Sequence, residues 1–368
     1  MASIDIMKDI ANNPQQIIKE WKADGKKVVG HRCIFVPEEI IHAAGMLPWP
    51  TFGTPEPITK GDSYFQPCVC EFIRNIFDLG MDQKFDFLDY LVLCNTCDGV
   101  RHLKGMWSTY IDSVPCYMLN NPQKLYDEGG FKFYRHELDK FKELMENVSG
   151  NKVTDASLKR SIELYDETRG LLKELNDLRK RDIPPISGVE ALFISMASQL
   201  MPKEKANPLL RQLIDEVKTR EIDSADRPRI LITGSIIDNP GLIQLVEDTG
   251  GMVVADDLCS TTKYYWYQTK PNKDPMDAIV KFNMERPVCA CTHPVEKRYD
   301  YLHELAREFK VDGIIYFVIK YCHPYSYEST IHKEALEEET PVLALEVDHS
   351  LSGFGQLRTR VQAFIEML

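Results

Sequence analysis

Ten cysteines carry most of the chemistry open to this chain. Four of them fall between Gln66 and Trp107: Cys68 and Cys70, then Cys94 and Cys97. Each pair stands ahead of a stretch with helical spacing. After Cys70, the apolar residues Phe72, Ile73, Ile76, Phe77 and Leu79 recur on one helix face. Leu88 to Cys94 is an apolar run of strand length, Asp98 and Gly99 turn the chain, and Val100 to Tyr110 reads as a second helix. Cys97 is thus expected where strand passes into helix, the ligand-binding edge of an open α/β sheet. A thiol near a helix N-terminus loses its proton more readily and is ready to bind metal. Three chemistries fit such thiols: inert buried side chains, a four-cysteine zinc site and an iron–sulfur cluster. Spacing inside this stretch does not separate zinc from iron.

The elements that must position these thiols alternate. Residues 1–25 read as helix, 27–30 (KVVG) as a short strand, and Pro37 opens a helix that Gly45 stops. A short apolar piece at 47–52 and a strand candidate at 114–119 (VPCYML) complete a first α/β lobe, residues 1–130. Residues 131–225 carry amphipathic helical patterns broken at Pro184-Pro185 and Pro202, a helical connector. Alternation returns in residues 226–368, with strands expected at 229–234, 252–257, 287–291 (PVCAC), 313–322 and 341–348. Strand–helix alternation of this kind predicts parallel sheets covered by helices. Cys97, Cys259, Cys291 and Cys322 then lie at or just past the C-terminal ends of strands, and Cys33 and Cys116 lie in or just beyond short ones. In two doubly wound lobes facing each other, those ends converge on one cleft. Scattered core cysteines would not gather there.

Bulk properties narrow the class. The chain has 368 residues, enough for two domains, with 43% hydrophobic and 27% charged residues, ordinary for a globular protein. A net charge of −12 makes nucleic acid a poor partner. No apolar run is long enough for a membrane span. The first residues, MASIDIMKDIANNP, lack a signal core, and ten cysteines without one argue for a reducing, cytoplasmic setting rather than a disulfide framework.

Five stretches together resemble a known family. They are VPEEIIHAAGMLP at 36–48, Cys70 ahead of a helix with Arg74 one turn on, TCDGVRHL at 96–103, IKYCHPYSYE at 319–328, and the ending TPVLALEVDHSLSGFGQLRTRVQAFIEML. In that order, across nearly the whole chain, they resemble the family of 2-hydroxyacyl-CoA dehydratase subunits and of the matching subunits of ATP-dependent benzoyl-CoA reductase. The resemblance implies two flavodoxin-like lobes with a [4Fe–4S] cluster between them, held by Cys70, Cys97 and Cys322, with the fourth iron position free. It also implies a paralogous sister subunit or a second copy of the chain, an acyl-CoA substrate, and a separate ATP-hydrolysing iron–sulfur activator. The chain itself has no G-x-x-x-x-G-K-[ST] loop, so ATP chemistry belongs elsewhere.

The sequence departs from a plain three-cysteine pattern, because seven cysteines are left over. Some family members carry a double cubane, [8Fe–9S], which needs about six thiolates, and here Cys33, Cys116, Cys289 or Cys291 would supply the extra ones. Buried small residues are the alternative. His31 and His323 flank cysteines at the cleft edge and are candidate proton donors, with a hydrogen-bonded structural role as the competing reading. Glu38 and Glu39, in a first helical turn, are expected to act as caps. Lys297 and Arg298 could meet the phosphates of CoA or form a solvated face. The helices at 155–222 could dock a sister subunit or serve as scaffold. The leading expectation is an iron–sulfur subunit of a benzoyl-CoA-type reductase. The smaller subunit of an (R)-2-hydroxyacyl-CoA dehydratase comes next, then a cluster-bearing homodimer that reduces small molecules, and last a zinc-stabilised binding protein.

Overall fold

The computed structural model describes residues 2–222, 226–287, 289–350 and 353–368. Two helices come first, α1 (Ser3–Asn12) and α2 (Gln15–Ala23); Pro14, which lacks an N–H and locks φ, separates them and is the N-cap of α2. Then follow β1 (Val28–Arg32), α3 (Glu38–Ala43), β2 (Leu47–Pro50), α4 (Gly61–Tyr64), α5 (Glu71–Met81), β3 (Tyr90–Cys94), α6 (Asp98–Tyr110) and β4 (Cys116–Leu119). The strands are all parallel, in the order β2-β1-β3-β4. That is the start of the flavodoxin-like pattern.

Four helices come next: α7 (Glu128–Ser149), α8 (Asp155–Asp177), α9 (Gly188–Leu200) and α10 (Lys203–Val217). Their ends are written in the sequence. Thr154 and Ser187 each form a capping box, and Gly150, at φ 79°, ends α7 in the left-handed conformation. Helix α10 begins a turn earlier than the pattern suggests and runs through Pro208.

The second lobe contains β5 (Arg229–Gly234), α11 (Pro240–Asp248), β6 (Met252–Asp257), α12 (Thr262–Tyr265), α13 (Pro275–Glu285), α14 (Glu296–Glu308), β7 (Gly313–Ile319), α15 (His323–Glu337), β8 (Val342–Val347) and α16 (Phe354–Met367). Its strands are again parallel, in the order β6-β5-β7-β8, so the two lobes repeat one topology. Strand β7, GIIYFVI, is buried at all seven positions, which is why it reads as an unbroken apolar run. At the end of β5, Gly234 has φ 126°, and a Cβ there would lie 1.9 Å from the Phe317 carbonyl oxygen. Only glycine lets β5 turn so close to β7.

Two expectations fail in this lobe. The described residues of the 287–291 stretch are not in a strand: Cys289 and Cys291 lie in a loop closed by Thr292, whose Oγ1 accepts from Cys289 N at 3.1 Å. Strand β7 stops at Ile319, so Cys322 lies beyond it and caps α15.

The lobes do not keep separate cores. Met276, Ile279, Val280 and Met284 of α13 pack with Tyr134, Leu138 and Phe141 of α7 and with Val29 of β1. Across the lobes, Gly53 N donates to Asp238 Oδ2 at 2.6 Å, and His349 N donates to Glu71 Oε2 at 2.5 Å. No helix among the described residues is long and apolar enough to cross a membrane.

Candidate functional site

Between the lobes lies a cavity of about 730 Å³. It opens at the sheet edges where strand order reverses, after β1 and β3 in one lobe and after β5 and β7 in the other. That is where open α/β sheets take ligands. Cys70, Cys97 and Cys322 line it, and each is the N-cap of a helix: Cys70 of α5, Cys97 of α6 and Cys322 of α15. Three helix N-termini from distant parts of the chain therefore aim their free N–H groups and positive dipole ends at one space. Cys33, Cys259, Cys289 and Cys291 line the same cavity, with Cys68 exposed at its edge.

The thiols interact in three sets, Cys70 with Cys322, Cys97 and Cys289 with Cys291, and Cys33 with Cys94. Cys70 and Cys322 hydrogen-bond to each other; Cys322 accepts the proton, so its thiol is lowered, while that of Cys70 is pushed well up. Cys291 contacts both Cys289 and Cys97, and its own thiol is pushed well up. Its hydrogen bond lowers Cys97 to about 7, helped by the N–H groups of Val100 and Gly99. The same partner lowers Cys289 to about 6, aided by the charges of Lys263 and Arg298. Burial pushes Cys259 up to about 12. The hydrogen bond from Cys94 lowers Cys33.

Packing sorts the cavity thiols into two groups. Cys70, Cys97 and Cys322 lie against one core, which includes Phe72, Ile73 and Val100. Cys33, Cys259, Cys289 and Cys291 belong to the other, beneath α7 and α13. Soft sulfur donors in such number suit iron–sulfur clusters.

The remaining candidates separate. Cys116 starts β4, the opposite end of the strand from the cavity, where it contacts Ser108 Oγ at 3.2 Å; it does not line the site. Cys94 lies in the core below, its Sγ 3.2 Å from Asn121 Oδ1. Cys68, Cys70, Cys94 and Cys97 thus do not meet as a zinc tetrad, and no three His, Cys, Asp or Glu among the described residues are grouped to hold a single metal ion. His323 is exposed at the mouth, near Tyr327.

His31 lines the wall at 5% exposure, with Nε2 3.1 Å from Glu38 Oε1. Glu38 is no cap: helix α3 has no side-chain cap, and Glu38 is buried. Burial would push its carboxyl up, but Lys203, 4.0 Å away, the contact with His31 and a 2.8 Å hydrogen bond from Tyr264 outweigh it and hold it at about 2. Glu39 is likewise buried, against Arg169.

Arg298 does not face solvent or a phosphate site. It is fully buried, 3.0 Å from Asp257 and 3.3 Å from Glu328. Only Lys297 is exposed. Reading the sequence missed Arg32 and Arg286, two buried guanidiniums on the cavity wall. It also missed the Lys203–Glu38–Tyr264 group; nothing in local spacing announces contacts between residues so far apart in the chain.

Comparison with known proteins gives the family of the chain. Residues 33–368 match the family described as 2-hydroxyglutaryl-CoA dehydratase, D-component. The chain is 30% identical over 363 residues to the (R)-phenyllactyl-CoA dehydratase beta subunit of Clostridium sporogenes, covering 98% of this chain and 97% of that one. It is 27% identical over 360 residues to a benzoyl-CoA reductase subunit of Thauera aromatica, covering 95% and 93%. Against the lactoyl-CoA dehydratase subunit beta of Anaerotignum propionicum it is 27% identical over 372 residues, covering 100% and 99%. The chain therefore belongs to the 2-hydroxyglutaryl-CoA dehydratase D-component family, whose relatives include subunits of acyl-CoA dehydratases and of benzoyl-CoA reductase.

Proposed function

We propose that this chain is the iron–sulfur subunit of an ATP-dependent, low-potential acyl-CoA reductase of the benzoyl-CoA type. The observation that carries the reading is the gathering of thiols: three helix-capping cysteines share one cavity with four more. Cys70, Cys97 and Cys322 hold a [4Fe–4S] cluster. Cys33, Cys259, Cys289 and Cys291, grouped on the second core, supply enough further thiolates for a joined double cubane. Bound there, the cofactor supplies single electrons at low potential to an acyl thioester.

The chain's own residues prepare that site. The N–H groups of Phe72 and Ile73, of Gly99 and Val100, and of Tyr325 hold the three thiolates. Phe52, Val69, Phe72 and Ile73 line the wall with apolar surface and keep water away. His31, with Nε2 3.1 Å from the Glu38 carboxylate, lines the same cavity and is the group placed to exchange a proton with a reduced substrate. A sister subunit or second copy completes the enzyme, and a separate ATP-hydrolysing activator delivers the electron.

One observation favours a second reading, the smaller subunit of an (R)-2-hydroxyacyl-CoA dehydratase. The 30% identical relative that covers nearly the whole chain bears such a name. Iron, sulfide and zinc content of anaerobically purified protein tests both. About eight irons with excess sulfide support the double cubane and the reductase. About four support a single cubane and the dehydratase. Zinc without iron overturns the redox reading altogether.

A further inference from the structure

Six arginines among the described residues are buried: Arg32, Arg74, Arg169, Arg179, Arg286 and Arg298. Four have a carboxylate partner: Asp62 for Arg74, Glu39 for Arg169, Asp256 at 3.2 Å for Arg179, and Asp257 at 3.0 Å for Arg298. Arg32 and Arg286 have none among the described residues, and both line the thiol cavity. Arg286 at least reaches Asn283 Oδ1, at 3.1 Å, and lies over the Phe282 ring.

Arg32 has less. It is the last residue of β1, next to Cys33, and is 8% exposed. Its Nε and Nη2 have no hydrogen-bond partner. Its guanidinium carbon sits 4.1 Å from the centre of the Phe72 ring. The acid whose charge it feels most is Asp238, but that carboxylate is taken by His349 at 3.0 Å and by Gly53 N at 2.6 Å. The next groups are Cys259, Cys33 and Cys70, thiols from both packing groups.

A buried guanidinium without an acceptor is costly to keep, and its neighbours fix where the acceptor must be. A fork of N–H donors suits an extended anionic face rather than a single atom. The donors are fixed on a strand end, over the Phe72 ring, on the wall of the cavity that both thiol groups line.

We propose that Arg32 donates hydrogen bonds to the anionic face of the cofactor held by these thiols and sets its reduction potential. This rests on the iron–sulfur reading above. A positive charge and hydrogen bonds to cluster sulfur favour the reduced, more negative state, and so raise the potential. Arg32 acts as a tuning and positioning group. The same donors would also suit a substrate oxygen, and the test separates the two.

The test compares wild type, R32Q and R32K, each as the full chain, purified anaerobically with iron. Iron per chain, thermal melting and an EPR-monitored redox titration are measured. For R32Q the reduced-to-oxidised ratio at a fixed potential should fall about tenfold, a midpoint lower by about 59 mV for a one-electron couple. R32K, which keeps the charge and loses the fork, should fall between R32Q and wild type. If R32Q does not retain iron, R32K carries the test alone: a smaller shift in the same direction supports the proposal, and none overturns it. An unchanged midpoint at full iron content overturns it and leaves the iron–sulfur reading standing. So does an unchanged midpoint with weakened acyl-CoA binding, which would assign Arg32 to substrate. Wild-type protein without iron overturns the iron–sulfur reading itself, and Arg32 with it.

Discussion

Replacing Arg298 by Met distinguishes a structural cation from a substrate-binding one. Arg298 is fully buried. Its Nη2 lies 3.0 Å from Asp257 Oδ2 and 3.3 Å from Thr233 Oγ1, and its Nη1 lies 3.3 Å from Glu328 Oε2. Asp257 also faces Lys263 at 3.1 Å, and Glu328 faces His332 at 3.0 Å and accepts from the Tyr316 hydroxyl at 3.1 Å. The group sets two carboxylates, Asp257 and Glu328, against Arg298 and Lys263. Met fills much of the volume but leaves one buried negative charge uncompensated. Breaking a buried pair in this way costs about 3–5 kcal/mol. Lys263 still neutralises Asp257, which places the expectation at the lower end, about 3 kcal/mol. The added change E328Q removes the orphan charge, and the two substitutions should couple favourably by about 1–2 kcal/mol, within the range for contacting residues. Denaturant unfolding followed by circular dichroism reads both values; acyl-CoA binding is measured alongside. A loss of stability under about 1 kcal/mol, together with a large loss of CoA affinity, would refute the reasoning and restore a phosphate-binding role.

Other predictions are as concrete. Glu38 titrates at about 2 when folded and near 4.5 when unfolded, so its contribution is fully present above pH 4.5 and is lost as pH falls toward 2. That is on the order of 3 kcal/mol, and the corresponding part of the stability-against-pH curve should vanish in E38Q. Substituting Gly234 by Ala forces a Cβ into the Phe317 carbonyl at a positive φ, and the variant should lose about 2–5 kcal/mol or fail to accumulate. C116A should leave iron content unchanged, whereas C97A and C322A should remove at least one cubane; equal losses in all three would contradict the assignment. Alkylation after chelation should label Cys97 and Cys322, both protected when iron is bound, while Cys94, buried with Asn121, should stay unmodified in the folded chain.

Much of this is legible in the residues alone. Buried parallel strands keep apolar runs, so β1, β3, β5, β6 and β7 stand out, and the cysteines past their ends fall in the cleft. Helix starts are also local, which is why the sequence places Cys70 and Cys97 ahead of α5 and α6, where the structure has them. The misreadings share a cause. PVCAC has a strand's composition, but Thr292 satisfies the Cys289 backbone through its side chain and closes a turn instead. Glu38 and Arg298 sit in first helical turns, where capping or exposure is the ordinary expectation. Their actual partners, Lys203 and Asp257, come from other elements, and pairing of that range leaves no periodic trace. Cys116 falls outside the site because it opens β4, at the strand end away from the cavity, whereas the site takes residues past the C-terminal ends.

The packing of α13 has a mechanical consequence. The segment carrying Cys289 and Cys291 follows β6 in the chain, yet α13 anchors it on α7, in the core of the other lobe. Cys322 stays with β7 and α15. If the lobes rotate apart, Cys289, Cys291 and Cys97 travel as one body and Cys322 as another. The parting line of such a breathing motion runs between Cys322 and its partner Cys70. Opening and closing would therefore move Cys322, and Cys259 just past β6 in the same sheet, against the thiols anchored on the first lobe.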